Sequence, residues 1–116
     1  MKASEILEKA AEVANQLLHC KGQATKRDDN RQPVACCTYG AITVAEFGGV
    51  EAYAHGTIDR ETVNNHHTAT RFLRNEVFQR TGSRGVITWN DRPETTREDV
   101  VRMLRAASIE ARNAGL

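Results

Sequence analysis

Two adjacent thiols, Cys36 and Cys37, lie in a stretch with only one charge: Val34-Ala35-Cys36-Cys37-Thr38-Tyr39-Gly40-Ala41-Ile42-Thr43-Val44-Ala45-Glu46-Phe47. Cysteine attacks as the thiolate, and the start of a helix favours that form because free amides and the helix dipole attract negative charge. His66 and His67 could supply a base, and Asn90 or Asp91 a group to orient it. Cys37 or Cys36 with His66 or His67 and Asp91 is thus the residue set of a cysteine-dependent hydrolase. Against it, buried cysteines behave as small hydrophobes, and neither thiol sits in a thiol-enzyme signature. The expectation is structural, unreactive thiols, with the hydrolase as the alternative.

Cys20, Cys36, Cys37, His19, His55, His66 and His67 are also metal-ligand types. Structural zinc sites pair ligands two to four residues apart, and these do not repeat that spacing. Neighbours on a helix point about 100° apart, so Cys36-Cys37 and His66-His67 are poorly placed to give two ligands each. No metal or other cofactor is expected, and His66 is read as an interior histidine held by a hydrogen bond.

The stretch Trp89-Asn90-Asp91-Arg92-Pro93 carries the candidate binding residues. A loop presenting Asn90, Asp91 and Arg92 beside Trp89 could hold a small polar ligand. The structural reading has Trp89 filling the core and Asn90 or Asp91 capping a turn before Pro93. It is preferred, because it gives each residue a local role. Arg71, Arg74, Arg80 and Arg84 form one basic group and Lys26, Arg27 and Arg31 another, but Glu76, Asp28 and Asp29 interrupt them. Solvated mixed-charge surface is the expectation, and nucleic-acid binding ranks third among the functions.

The 116 residues with net charge +1 fit one domain and disfavour bulk duplex DNA or an anionic membrane as partner. The N-terminus lacks the pattern of a signal peptide, and three cysteines fit reduced thiols better than a disulfide framework, so the cytoplasm is the expected location.

Residues 4 to 18 have helical periodicity, with Ile6, Ala10, Val13, Ala14 and Leu17 on one stripe and Ser4 as N-cap. Residues 23–27 and 32–34 could pair as strands across Asp28-Asp29-Asn30-Arg31, with Pro33 favouring an edge; a mobile polar loop is the competing reading. The apolar stretch from Val34 reads as a short central helix, with Gly40, Ala41 and Ala45 allowing neighbouring helices to come close. Val50 to His55 could add one or two helical turns, and Thr57 or Asp59 could cap a long helix over 59–80. Val86-Ile87-Thr88-Trp89, β-branched and aromatic, predicts a short strand. Thr95 with Glu98 predicts a capping box for a last helix reaching about Asn113, with Val100, Leu104, Ala107 and Ala111 inward.

Two of these stretches, Cys37 to Ile42 and Trp89 to Pro93 running through Thr96 into Val100-Val101 and Leu104, carry a resemblance. With the leading amphipathic helix, they resemble a family of small proteins of unknown function from actinobacteria and their phages. The similarity runs from about Ala3 to Ala107, and His19-Cys20-Lys21-Gly22 departs from the aromatic that ends the first helix in that family. The resemblance implies a source and a fold but no activity.

The expected fold is mostly α: a single-domain bundle of about four helices around a short buried central one, with a minor β-hairpin or strand. The expected function is a small accessory protein, phage-encoded by the resemblance, that binds a protein of the host or a second copy of itself.

Overall fold

The computed structural model describes residues 1–48 and 58–116. The expected turns over Val50 to His55, the Thr57 cap and the ligand candidate His55 lie outside these residues. The fold is mostly α with a small three-stranded sheet.

Helix α1 spans Ala3–Gln16 and buries Ile6, Ala10 and Ala14 of the predicted stripe together with Leu7 and Ala11, while Val13 and Leu17 are only half-buried at its edge. Its N-cap is Lys2 rather than Ser4, with the Lys2 amide donating to Glu5 Oε1 at 2.9 Å. Ser4 lies inside the first turn, and its carbonyl accepts the Ser108 hydroxyl at 2.7 Å. The helix also stops short of residue 18: Leu17 is extended, and Leu18–His19 form strand β1.

Strands β2 (Thr25–Arg27) and β3 (Pro33–Cys36) form an antiparallel hairpin, so the paired reading of 23–34 holds over the loop reading. Asp28 Oδ1 accepts from the amides of Asn30 and Gln32, both at 2.9 Å, and closes the turn. The strand order is β1-β3-β2, which makes β3 central rather than an edge. Pro33 is tolerated there because it is the first residue of the strand, beside an irregularity between Lys26 and Arg27. β1 runs parallel to β3 and pairs Leu18 with Ala35 and His19 with Cys36.

The central helix α2 runs Thr38–Phe47, four residues later than the apolar stretch begins, because residues 33–36 are used by β3. Ala41, Ile42 and Ala45 are buried, and Gly48 ends the helix with φ 74°. Gly40 does allow a close approach, but to backbone in the turn before β2 rather than to another helix. A Cβ at Gly40 would lie 1.9 Å from the Ala24 carbonyl oxygen.

Helix α3, Arg60–Thr81, is capped by Asp59, whose Oδ1 accepts the Thr62 amide at 2.7 Å. Ala69, Leu73 and Val77 face the core, and buried Glu76 is held by Arg80 Nε at 2.5 Å. The predicted strand at Val86 is instead a short helix, α4 (Val86–Asn90). The Trp89 amide donates to the Gly85 carbonyl at 3.1 Å and the Asp91 amide to Ile87 at 2.9 Å. This turn buries Val86, Trp89 and Asn90 together, whereas a strand would alternate their faces. Packing overrides the β propensity of the side chains.

Helix α5, Arg97–Asn113, begins one residue later than predicted. Thr96 and Asp99 form the capping box: Thr96 Oγ1 accepts the Asp99 amide at 3.2 Å, and the Thr96 amide donates to Asp99 Oδ2 at 2.9 Å. Thr95 is buried and its hydroxyl donates to the Trp89 carbonyl at 2.7 Å. α1 packs on α5, α2 and α3, and this is the main core. Among the described residues, no helix is long and apolar enough to cross a membrane.

Candidate binding site at the Asn90 junction

Asn90 is 1% exposed and joins three parts of the chain. Its Oδ1 accepts from the Thr38 amide at 3.0 Å, the Thr38 hydroxyl at 2.7 Å and His19 Nε2 at 2.9 Å. Its Nδ2 donates to the Cys20 carbonyl at 3.1 Å and to Asp91 Oδ1 at 2.9 Å. The Thr38 amide can only donate, so the amide oxygen must face it, and His19 must carry its proton on Nε2. One side chain thereby satisfies a free amide in the first turn of α2 and ties α4 to the end of β1.

Beside this junction is a cleft of about 180 Å³, bounded by Gly22, Gln23 and Ala24, by Cys37, Thr38 and Tyr39, and by α4 with Asp91. The first wall is fixed by the Cys37 amide, which donates to the Ala24 carbonyl at 2.8 Å. The last is fixed by Asp91 Oδ1, which accepts the Gly22 amide at 3.2 Å. Ile87 stands at the cleft 60% exposed, because the turn that buries Val86 and Trp89 turns it outward. Asp91 is held below the usual carboxylate range by the Asn90 amide and the Gly22 N–H, so it is anionic at neutral pH.

Cys37 caps α2, its Sγ accepting the Gly40 amide at 3.3 Å. Burial nevertheless pushes its thiol up, against the lowering effect of the Gly40 and Tyr39 amides. Burial likewise raises Cys20, and it pushes Cys36 up to about 12. All three are protonated thiols at neutral pH, and all are free cysteines.

His66 pairs with Glu46 at 2.5 Å, near the far end of α2. Glu46 lies nine positions beyond the N-cap Cys37, about 13.5 Å of helical rise. His67 packs edge-on against His66. The structure therefore does not bring Cys37 or Cys36 together with His66 or His67. It does bring Cys37, Asn90 and Asp91 to one cleft. Among the described residues, no group of three or more His, Cys, Asp or Glu is placed to hold a metal.

Of the four residues singled out around the tryptophan, Trp89 is 5% exposed and belongs to the core, and Asn90 belongs to the junction. Asp91 lines the cleft, and Arg92 lines a separate surface hollow with Arg80, Arg102 and Asp99. Of the basic groups, Arg80 is occupied by Glu76, and Arg71 lies over the Phe72 ring at 5.5 Å.

Residues 1–110 match a family of unknown function, DUF6197. The chain belongs to DUF6197. No curated protein and no solved structure matches it. In this DUF6197 protein the two stretches singled out in the sequence, around Cys37 and around Trp89, meet through Thr38 and Asn90. Sequence reasoning passed over His19 and Thr38 as partners of Asn90, and Ala24, Tyr39 and Ile87 as cleft walls. Nothing local marks them: each belongs to a different element, and only the strand pairing of 18–36 and the helical turn at 86–90 bring them together.

Proposed function

We propose that this DUF6197 protein is a small accessory protein that binds a partner protein, taking one partner side chain into the cleft at the Asn90 junction. The size of the cleft carries this reading. Its 180 Å³ falls below the roughly 300–1,000 Å³ of sites that enclose metabolite-sized ligands, and matches a single inserted side chain. Exposed Ile87 at the rim is the sort of apolar anchor that interfaces bury. Hydrolysis at Cys37 is less well supported, since its thiol is protonated and its sulfur is hydrogen-bonded to a backbone amide rather than to a base. By the resemblance noted above, the proposed source is an actinobacterium or its phage. The proposed setting is the bacterial cytoplasm, with a host protein or a second copy of the chain as partner.

The test is photo-cross-linking in bacterial cells, with a benzophenone amino acid at position 87 or at position 109. Ile109 is a fair control, being 52% exposed and lining a different hollow on α5. A discrete adduct from position 87 and none from 109 is expected. Equal labelling from both, or none from 87, would contradict binding at the cleft.

A further inference from the structure

We infer that the side chain taken into the cleft is a lysine of the partner protein, with its stem on Ala24, Tyr39, Val86 and Ile87 and its ammonium on the Asp91 carboxylate. This rests on the reading of the cleft as a protein-binding site and names the chemistry it selects.

The surface that the cleft exposes is mostly apolar, and Asp91 is the one formally charged group among the residues that line it. An apolar cleft with one carboxylate among its lining residues suits an apolar stem with a cationic tip, as lysine and arginine have. Asp91 makes no ion pair among the described residues. Lys21 is nearby but exposed, and its ammonium is hydrogen-bonded to the Arg92 carbonyl. The second strand of the argument is how Asp91 is held. Oδ1 already accepts from the Gly22 amide and Asn90 Nδ2, which leaves Oδ2 as the free acceptor. The planar fork of arginine binds best across two free carboxylate oxygens. One free oxygen suits the point charge of an ammonium. The two donors to Oδ1 also keep Asp91 ionised across the neutral range and hold it still, so little ordering is required on binding.

The test is a titration of the ¹⁵N-labelled full chain with capped single residues: Nα-acetyl-lysine methylamide, and its arginine and norleucine counterparts. Amide shifts of Gly22, Ala24, Thr38 and Tyr39 report occupancy. The lysine compound is expected to shift them at millimolar concentration, about tenfold more tightly than norleucine, and its advantage should disappear in Asp91→Asn. That variant keeps an oxygen for Gly22 and Asn90, so it should fold. Norleucine binding as well as lysine would overturn the lysine assignment and leave the cleft reading standing. Arginine binding more tightly than lysine would do the same. Shifts with none of the three at high millimolar concentration would overturn both.

Discussion

Asn90 shows how much of this fold depends on one side chain. It accepts from Thr38 and His19 and donates to the Cys20 carbonyl and Asp91. Asn90→Asp keeps the acceptor but faces a carboxylate towards the Cys20 carbonyl and the Asp91 anion. Leaving buried groups without partners costs about 1–3 kcal/mol each, so this variant should lose about 2–4 kcal/mol in urea unfolding. His19→Ala removes only a donor that Oδ1 can spare, and should cost less than about 1 kcal/mol. Equal losses from the two would mean that the His19 contact contributes as much as the Nδ2 contacts to Cys20 and Asp91. The thiols give a second prediction. A group protonated in the fold and ionised in the unfolded chain stabilises the fold below its unfolded pKa, and that contribution is lost as pH rises towards the folded value. For Cys36 the window runs from 9.0 to about 12, and the loss is on the order of 4 kcal/mol. Cys36→Ala should flatten the fall of melting temperature with pH across that window. An unchanged slope would place the alkaline sensitivity in other groups.

At the scale of elements, close backbone approach and capping set where the pieces lie. In an ordinary helix, Gly40→Ala would stabilise by about 1 kcal/mol. Here the new Cβ would meet the Ala24 carbonyl, which is itself bound to the Cys37 amide, so neither can move aside freely. The variant should instead destabilise by about 1–3 kcal/mol through overpacking, and a higher melting temperature would show that the turn before β2 yields. Thr95 and Thr96 divide the roles that the sequence suggests for one residue. Thr96→Ala should cost about 1 kcal/mol as a cap. Thr95→Val should cost about 1 kcal/mol by removing one buried hydrogen bond to the Trp89 carbonyl, which keeps the Arg92 amide as a donor at 3.2 Å. The helices with a clear apolar stripe, α1, α3 and α5, were legible in the sequence because that stripe repeats every turn. The turn chemistry at Asp28 to Arg31 likewise marked the hairpin. The five-residue helix α4 was not legible: it is too short to show a period, and its β-branched residues favour a strand. The parallel β1 was hidden because Leu18 reads as the end of the apolar periodicity of α1 and two residues are too few to show alternation.

Across the whole molecule, α1, α3 and α5 serve the main core alone, while α2 and α4 serve both the core and the candidate site. α1, α3 and α5 bury one another through positions that periodicity reveals. The cleft is assembled from the turn before β2, the N-terminus of α2 and α4, and its residues are spread over positions 22 to 91. Asp91 and Cys37 could be picked out by residue type, but their shared cleft could not, because it depends on contacts about fifty residues apart. Binding through this cleft is tested most directly by purifying the partner captured at position 87 and measuring its affinity calorimetrically for the wild type and Ile87→Asp. The exposed aspartate should leave the melting temperature within about 2 °C, since surface changes away from the core move stability by no more than about 0.5 kcal/mol. Affinity should fall at least tenfold, about 1.4 kcal/mol or more, as an apolar anchor is replaced by a charge in the interface. Equal affinity in a variant of unchanged stability would contradict the cleft as the binding site.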